Sequence, residues 1–277
     1  MRKDRQMEKK IIFFDIDGTL LDNRNQVPES TKMALGKLKE QGHLRFVCTG
    51  RTKCMLPSEI TELEFDGYVY GGGTSVEYGG KRLEFAELHP EQITKAAHIL
   101  NNYHASFLLE GQDNVYLEEA FVNDDRVYFS KFVKGLGEIA KVIDGYQEVH
   151  ASKVTLLHPA VGEEKLKEMV AKLSEDFAVI IHEPANGKAL TDGLIELLPH
   201  GYTKASGIQK AIECLGIPWE NTIGVGDSNN DLEMLNYVHT AICMGNGSKK
   251  AKALADLVTK PIDQDGIEYA MQELKLI

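Results

Sequence analysis

The sequence predicts an α/β fold: a Rossmann-like three-layer core built on a parallel sheet, with an inserted α+β domain. Three observations predict it. Short apolar runs end abruptly in polar, chemistry-bearing residues, as in Ile11-Ile12-Phe13-Phe14-Asp15-Ile16-Asp17-Gly18-Thr19-Leu20. The strand–helix–strand spacing from Ile11 to Cys48 matches a right-handed crossover unit. Between about Leu88 and Leu190 the pattern changes to αββ and αβ runs separated by polar turns, the mark of a separate module.

Ile11 to Phe14 is a row of four apolar residues and predicts a strand buried on both faces. Ligands of open α/β sheets bind outside the carboxyl ends of the strands, so Asp15 and Asp17 stand where chemistry is expected. Alternation along an extended chain is expected to point both side chains the same way. Carboxylates so placed repel unless a cation lies between them, and Mg²⁺ is the simplest hard cation for oxygen donors. Gly18 permits a sharp turn, and Thr19 offers a hydroxyl and an N–H.

Pro28 to Gln41 predicts a helix with Met33, Ala34 and Leu38 on its apolar face and Leu35 beside them, closed by Gly42. Leu44–Cys48 is the second buried strand, ending in Thr49-Gly50-Arg51-Thr52. A hydroxyl and backbone N–H groups at that tip suit a phosphate oxygen. Phe65–Tyr70 is a third strand, and Gly79-Gly80 marks a hairpin that opens into the insertion.

Within the insertion, helices are expected over Glu91–Tyr103, Asn123–Val133 and Glu163–Leu173. Strands are expected over Ser106–Glu110, Val115–Glu119, Lys153–His158 and Phe177–His182. Glu183–Leu190 reads as a surface turn, with a loop facing the site as the sharper alternative. Ile195–Pro199 is expected to lead back into the main sheet. Thr203 is a plausible N-cap for a helix over Lys204–Cys214. Lys204 lies in the first turn, where the helix dipole disfavours a cation, and such a broken local rule marks function. Thr222–Gly226 is a further buried strand whose tip carries Asp227-Ser228-Asn229-Asn230-Asp231; Thr240–Met244 ends at Gly245-Asn246-Gly247-Ser248, and a last helix covers about Gly266–Leu274. The domain expectation is therefore a core of residues 1–83 and 191–277 with an inserted domain over 84–190.

Composition narrows the function. The chain has 277 residues, 43% hydrophobic and 26% charged, with a formal net charge of −11 and no basic stripe. That argues against nucleic-acid and anionic-membrane partners, although a local site can still be positive. The four cysteines are scattered without a C-x-x-C pair, as expected for reduced thiols of a cytoplasmic protein. No apolar run is long enough to cross a bilayer, no signal-peptide pattern is present, and Met1–Lys10 reads as a loose tail. Oligomeric state is not legible.

Four tips now hold a set of residue types suited to phosphoryl transfer. A carboxylate can attack phosphorus, a second can protonate the leaving oxygen and later activate water, and a lysine with a divalent cation balances charge. Plainer readings exist for each residue alone: Thr49 as an N-cap, Lys204 as a surface lysine, Asp231 as a first-turn acid, Arg51 as a structural or cap-contacting residue. A calcium loop fails at Phe13 and Arg24, and again at Leu232 and Val238. A dinucleotide loop at Gly224-Val225-Gly226 fails because Asn229 stands at the third glycine position. The placement of all four groups at tips favours the catalytic set.

Phe14-Asp15-Ile16-Asp17-Gly18-Thr19-Leu20, Thr49-Gly50-Arg51, Lys204 and Gly226-Asp227-Ser228-Asn229-Asn230-Asp231 resemble the four motifs of the haloacid-dehalogenase-like hydrolase superfamily. The large insertion is similar to that of its Cof-type branch, whose members are mostly Mg²⁺-dependent phosphatases. The resemblance spans nearly the whole chain and makes the insertion a cap that sets specificity. It implies Asp15 as nucleophile, Asp17 as general acid/base, and Mg²⁺ held by Asp15, the backbone carbonyl of Asp17, and Asp227. It further implies Thr49, Gly50 and Lys204 on the phosphate, Asn230 beside the substrate, and Asp231 supporting the metal or Lys204. The chain departs from the pattern at Gly72-Gly73-Thr74, where Asn-Gly-Ala is common, and at Gly245-Asn246-Gly247, where Gly-Asn-Ala is common. The expected function is hydrolysis of a small phosphate monoester, such as a sugar phosphate, through an aspartyl-phosphate. The alternatives are a phosphotransferase or mutase of the same superfamily, or a non-hydrolytic phospho-metabolite sensor.

Overall fold

Strand β1 (Ile11–Phe14) is fully buried, and its alternating side chains feed two different cores. It pairs in parallel with β2 (Leu44–Cys48) on one side and β12 (Thr222–Gly226) on the other. The computed structural model describes residues 9–122, 134–157, 161–182 and 194–277. It divides into two units, one drawn from Met1–Arg51, Leu56–Glu84 and Thr203–Ile277, the other from Thr52–Met55 and Phe85–Tyr202. Strands and helices are numbered along the described chain.

The first unit holds an eight-stranded sheet in the order β14-β13-β12-β1-β2-β3-β4-β5, with β3 (Gly67–Tyr70), β4 (Ser75–Tyr78), β5 (Lys81–Phe85), β13 (Thr240–Cys243) and β14 (Leu257–Val258). The strands from β14 to β3 pair in parallel, and β4 runs antiparallel to β3. Its helices are α1 (Glu29–Glu40), the short α2 (Ser58–Thr61), α6 (Lys204–Leu215), α7 (Leu232–Tyr237), α8 (Lys249–Leu254) and α9 (Gly266–Glu273). Ile12 and Phe14 pack with Ala34, Leu35, Leu38, Ile267, Ala270 and Met271, so α1 and α9 cover one face. Ile11 and Phe13 pack with Ile208, Ala211, Met234 and Leu235, so α6 and α7 cover the other. Three layers follow from that alternation, as the sequence predicts.

Two local features refine the expectation. Met33 is 50% exposed rather than part of the α1 core face. The buried face is Thr31, Ala34, Leu35 and Leu38, the i, i+3, i+4, i+7 stripe, and Met33 falls outside it. Arg45 is buried in the middle of β2 because Asp66 Oδ2 accepts from its backbone N–H at 2.9 Å and its Nε at 3.1 Å, while the Glu64 carbonyl accepts from Nη2 at 2.9 Å.

The second unit is a six-stranded sheet in the order β10-β11-β9-β6-β7-β8. Its strands are β6 (Phe107–Gly111), β7 (Val115–Glu118), β8 (Ala140–Ile143), β9 (Ala151–Leu157), β10 (Phe177–His182) and β11 (Leu194–Pro199). Helices α3 (Pro90–Asn102) and α5 (Glu163–Leu173) supply Ile93, Ala97, Leu100, Leu166 and Met169 to a core against Phe107, Leu109, Val154, Leu156, Ile195 and Leu197. The turn of helix α4 is Glu119–Val122. Strand β8 has no counterpart in the sequence reading. The expected helix Asn123–Val133, the turn Glu183–Leu190 and the last residue of the expected strand Lys153–His158 lie outside the described residues. Among the described residues no helix is long and apolar enough to cross a membrane.

Residues Ile195–Pro199 do not return to the main sheet. Strand β11 pairs antiparallel with β10 and β9, so the second unit continues to Tyr202 instead of ending at 190. The physical reason is Glu196. Its Oε1 lies 2.6 Å from Lys153 Nζ on β9, and its Oε2 lies 2.8 Å from His182 Nε2 on β10. An apolar-polar alternation of this kind suits an antiparallel strand with two unlike faces.

Lys153 also lies 3.1 Å from Glu110 Oε1, and all three charged side chains are under a tenth exposed. Burial raises the Glu196 carboxyl, but the Lys153 ammonium and His182 outweigh it and hold the group down at about 2, against its usual 4.5. This contribution to stability is complete above pH 4.5 and is lost as pH falls through 2. Lys153→Met leaves Glu110 and Glu196 buried without their cation and is expected to cost about 3–5 kcal/mol at neutral pH. Urea unfolding followed by circular dichroism reads that loss, and the deficit of the variant is expected to shrink when the titration is repeated near pH 3.

Candidate active site

Asp15 follows β1 directly and remains tied to the sheet, since its N–H donates to the Val225 carbonyl at 2.9 Å. The chain then tightens. The Ile16 carbonyl accepts from the N–H groups of Thr19, Leu20 and Leu21 at 3.2, 2.9 and 2.8 Å. Gly18 takes a φ of +86°, and a Cβ there would lie 2.5 Å from Asp227 Oδ2. The turn therefore needs glycine for both its conformation and its closeness to Asp227. Thr19 Oγ1 donates to Asp227 Oδ1 at 3.1 Å, and Asn246 Nδ2 donates to the Gly18 carbonyl at 2.8 Å.

Strand β12 ends beside β1 and presents Asp227. A Cβ on Gly226 would lie 2.6 Å from the Asp231 carboxyl carbon, so only glycine lets that side chain fold back over the tip. Asp231 Oδ2 accepts from the N–H groups of Asp227 and Ser228, each at 2.9 Å. Its Oδ1 accepts from Lys204 Nζ at 2.6 Å, and the same ammonium donates to Asp15 Oδ1 at 2.6 Å. Lys204 is positioned by the start of α6, where Thr203 and Ser206 form a reciprocal cap. Asp15, Lys204 and Asp231 are all at most 3% exposed.

This cluster explains why a lysine occupies a helix N-terminus. The dipole penalty is small beside the attraction of two buried carboxylates. Burial works against the Lys204 ammonium, but Asp15 and Asp231 outweigh it and raise its pKa. Burial, and next the Asp231 charge, push Asp15 up to about 8 against the opposing pull of Lys204. Asp227 is pushed up to about 7 by burial and by Asp231. Three carboxylates therefore share one ammonium. Oxygens of Asp15, Asp227 and Asp231 lie within 4.8 Å of one another. Hard oxygen donors with excess negative charge fit a hard divalent cation. Asp231 already engages both oxygens with N–H donors, which makes Asp15 and Asp227 the better placed ligands.

The remaining expected residues distribute differently. Asp15 is buried, whereas the Asp17 carboxylate is 55% exposed. Arg51 Nε and Nη2 grip its two oxygens at 2.9 and 2.8 Å. Thr49 is buried at the tip of β2, and its hydroxyl accepts from the Arg51 N–H at 3.1 Å. Gly50 lies between them in the same turn. Asn230 Oδ1 accepts from the Ser228 hydroxyl. The sequence reading took Arg51 as structural or cap-contacting and gave Thr19 and Asn246 no partner. The available signals were a cation at a strand tip and a Gly-Asn-Gly turn at another.

Gly18→Ala forces a side chain into the left-handed region and against Asp227. It is expected to lower the unfolding free energy by about 1–3 kcal/mol, read from the urea midpoint.

The model of the haloacid dehalogenase-like hydrolase family matches residues 12–271. YkrA of Bacillus subtilis (strain 168), provisionally named a phosphatase, is 32% identical over 98% of this chain and 100% of its own. YitU of the same organism, a 5-amino-6-(5-phospho-D-ribitylamino)uracil phosphatase, is 27% identical over 96% of this chain and 98% of its own. The solved structure of BT4131, a subclass IIB sugar phosphatase of the same superfamily, superposes with a TM-score of 0.80 at 25% identity, covering 97% of this chain and 100% of that one. The chain belongs to the haloacid dehalogenase-like hydrolases.

Proposed function

We propose that this protein is a Mg²⁺-dependent phosphatase that hydrolyses small phosphate monoesters through an aspartyl-phosphate on Asp15. The observation that carries the reading is the buried Asp15–Lys204–Asp231 cluster beside Asp227. Asp15 and Asp227, with the backbone carbonyl of Asp17, would hold the cation. When bound, it supplies positive charge that keeps the carboxylates ionised and screens the phosphoryl oxygens from the nucleophile.

In the first step the Asp15 carboxylate attacks phosphorus and forms the new P–O bond while the bond to the leaving oxygen breaks. Asp17 gives its proton to that oxygen. In the second step Asp17 takes a proton from water, the water oxygen bonds to phosphorus, and the bond to Asp15 breaks to release phosphate. Lys204 neutralises charge on the transferred group, and Thr49 and Gly50 offer donors from the tip of β2. Asn230 is assigned to the substrate side of the site. The second unit is assigned the choice of substrate, as a cap domain. A sugar phosphate or a similar phospho-metabolite is the favoured class, supported by the named substrates of the sugar phosphatase and ribitylaminouracil phosphatase relatives. Four cysteines without disulfides support a cytoplasmic setting.

Phosphate release from a panel of sugar phosphates, nucleotides, flavin mononucleotide and pyridoxal phosphate tests the reading. Release is expected to require Mg²⁺ and to vanish with EDTA. Asp15→Asn is expected to lower kcat by about 10³-fold or more. Normal turnover by the folded Asp15→Asn protein, or release unaffected by EDTA, would overturn the proposal.

A further inference from the structure

The turn at residues 245–248, just beyond β13, fastens both tips that carry the proposed cation ligands. At the β12 tip the contact is through backbone: the Ser248 N–H donates to the Asp227 carbonyl at 2.7 Å. A Cβ on Gly247 would lie 2.9 Å from the same carbonyl oxygen, so the two stretches of chain run in direct contact. At the β1 tip the contact is a side chain: Asn246 Nδ2 donates to the Gly18 carbonyl at 2.8 Å. The turn is itself braced from behind. The Gly245 N–H donates to the Lys260 carbonyl at 3.0 Å, Lys252 Nζ donates to the Gly245 carbonyl at 2.6 Å, and Asn246 Oδ1 accepts from the Ile262 N–H at 2.9 Å.

The Asn246 amide thus meets an acceptor with its nitrogen and a donor with its oxygen, and both ends are used. An aspartate of the same shape would set a carboxylate oxygen against the Gly18 carbonyl, and two acceptors repel. The Gly18 carbonyl opens the peptide that follows the Asp17–Gly18 peptide. That preceding peptide is held by the Gly18 N–H, which donates to the Leu21 carbonyl at 2.9 Å. A trans peptide is planar, so its C=O is fixed opposite its N–H. Two bonds, one on each side of Gly18, therefore set the direction of the Asp17 carbonyl. Glycine turns more freely than any other residue, which gives the second bond a definite task.

We propose that Asn246 is a positioning residue for the divalent cation: its amide fastens the Gly18 peptide and thereby keeps the Asp17 carbonyl in register with the carboxylates of Asp15 and Asp227. The inference rests on the reading that these three groups hold Mg²⁺. Asn246 does not touch the cation. Groups that orient metal ligands from outside the ligand set govern affinity by about 10- to 100-fold. Asn246 is exposed, so loss of its hydrogen bonds to water costs the metal-free fold little.

Mg²⁺ binding separates this role from a merely structural one. The full chain is stripped with EDTA and dialysed, and the rise in Tm is recorded against Mg²⁺ concentration for the wild type, Asn246→Ala and Asn246→Asp. The Mg²⁺ concentration that gives a set rise is expected to increase by about tenfold or more in both variants, with the urea midpoint in EDTA close to that of the wild type. Half-saturating Mg²⁺ for phosphate release is expected to rise by the same factor, with kcat at saturating Mg²⁺ within about threefold. Asn246→Ser serves as a further variant if the alanine protein does not fold. Unchanged Mg²⁺ binding by Asn246→Ala would overturn the inference. So would a metal-free urea midpoint well below that of the wild type, which would make the role merely structural. Tighter binding by Asn246→Asp would overturn it as well, because added charge and not ligand geometry would then govern affinity. Asp227→Asn is run alongside and is expected to abolish the rise. If the wild type shows no rise, or Asp227→Asn keeps it, the cation reading fails and the inference with it. If Asp227→Asn loses the rise and Asn246→Ala keeps it, the positioning alone is wrong.

Discussion

The ammonium of Lys204, buried between Asp15 and Asp231, is the interaction on which the rest of this site depends. An uncompensated carboxylate at the centre of a buried sheet edge is expensive, and three of them more so. One lysine holds two of these groups in a fixed relation, and the backbone N–H groups of Asp227 and Ser228 hold the second oxygen of Asp231. Each structural detail nearby serves that constraint. The parallel sheet brings the β1 and β12 tips together, the cap formed by Thr203 and Ser206 fixes the start of α6, and Gly18 and Gly226 allow side chains to approach where a Cβ would collide. Excess negative charge remains after Lys204 is counted, and an oxygen-donor set of that charge fits a hard divalent cation.

The second unit shows the same logic in a different setting. Glu110, Lys153 and Glu196 lie on three neighbouring antiparallel strands, on one side of a sheet whose other side is an apolar core under α3 and α5. Their burial is tolerable because each charge has an opposite partner on a neighbouring strand. The strand registry is fixed by the same pairs: slipping β11 by one residue would place Glu196 in the apolar core and Ile195 or Leu197 among charges. A buried ionic group here acts as a specification of registry.

Motif residues were legible in the sequence because their position at strand tips follows from local pattern. Apolar runs give the strands, the first polar residue after each run marks the tip, and open α/β sheets gather those tips at one edge. Asp15, Lys204, Asp227 and Asp231 come together at that edge. Asp17 lies at the same tip as Asp15, and its pairing with Arg51 depends on the third of these tips, which local pattern does not choose. Arg51 was read as structural or cap-contacting, but a guanidinium at a tip has many possible partners and the sequence does not choose among them. Ile195–Pro199 was assigned to the wrong sheet, because five residues of mixed polarity fit either a core strand or an antiparallel one until the partner of Glu196 is known.

The sequence by itself determined the layers of the first unit, the positions of the tips and the residue types gathered there. These are matters of period, of turn chemistry and of which residue follows an apolar run. Only the tertiary structure decided which side chains meet. Lys204 and Asp15 are separated by 189 positions, Asn246 and Gly18 by 228, and Arg51 and Asp17 by 34. Pairings over such distances depend on sheet order and on which donors remain once backbone bonds are made. No local pattern encodes those quantities, and they arise only when the whole chain has found its partners.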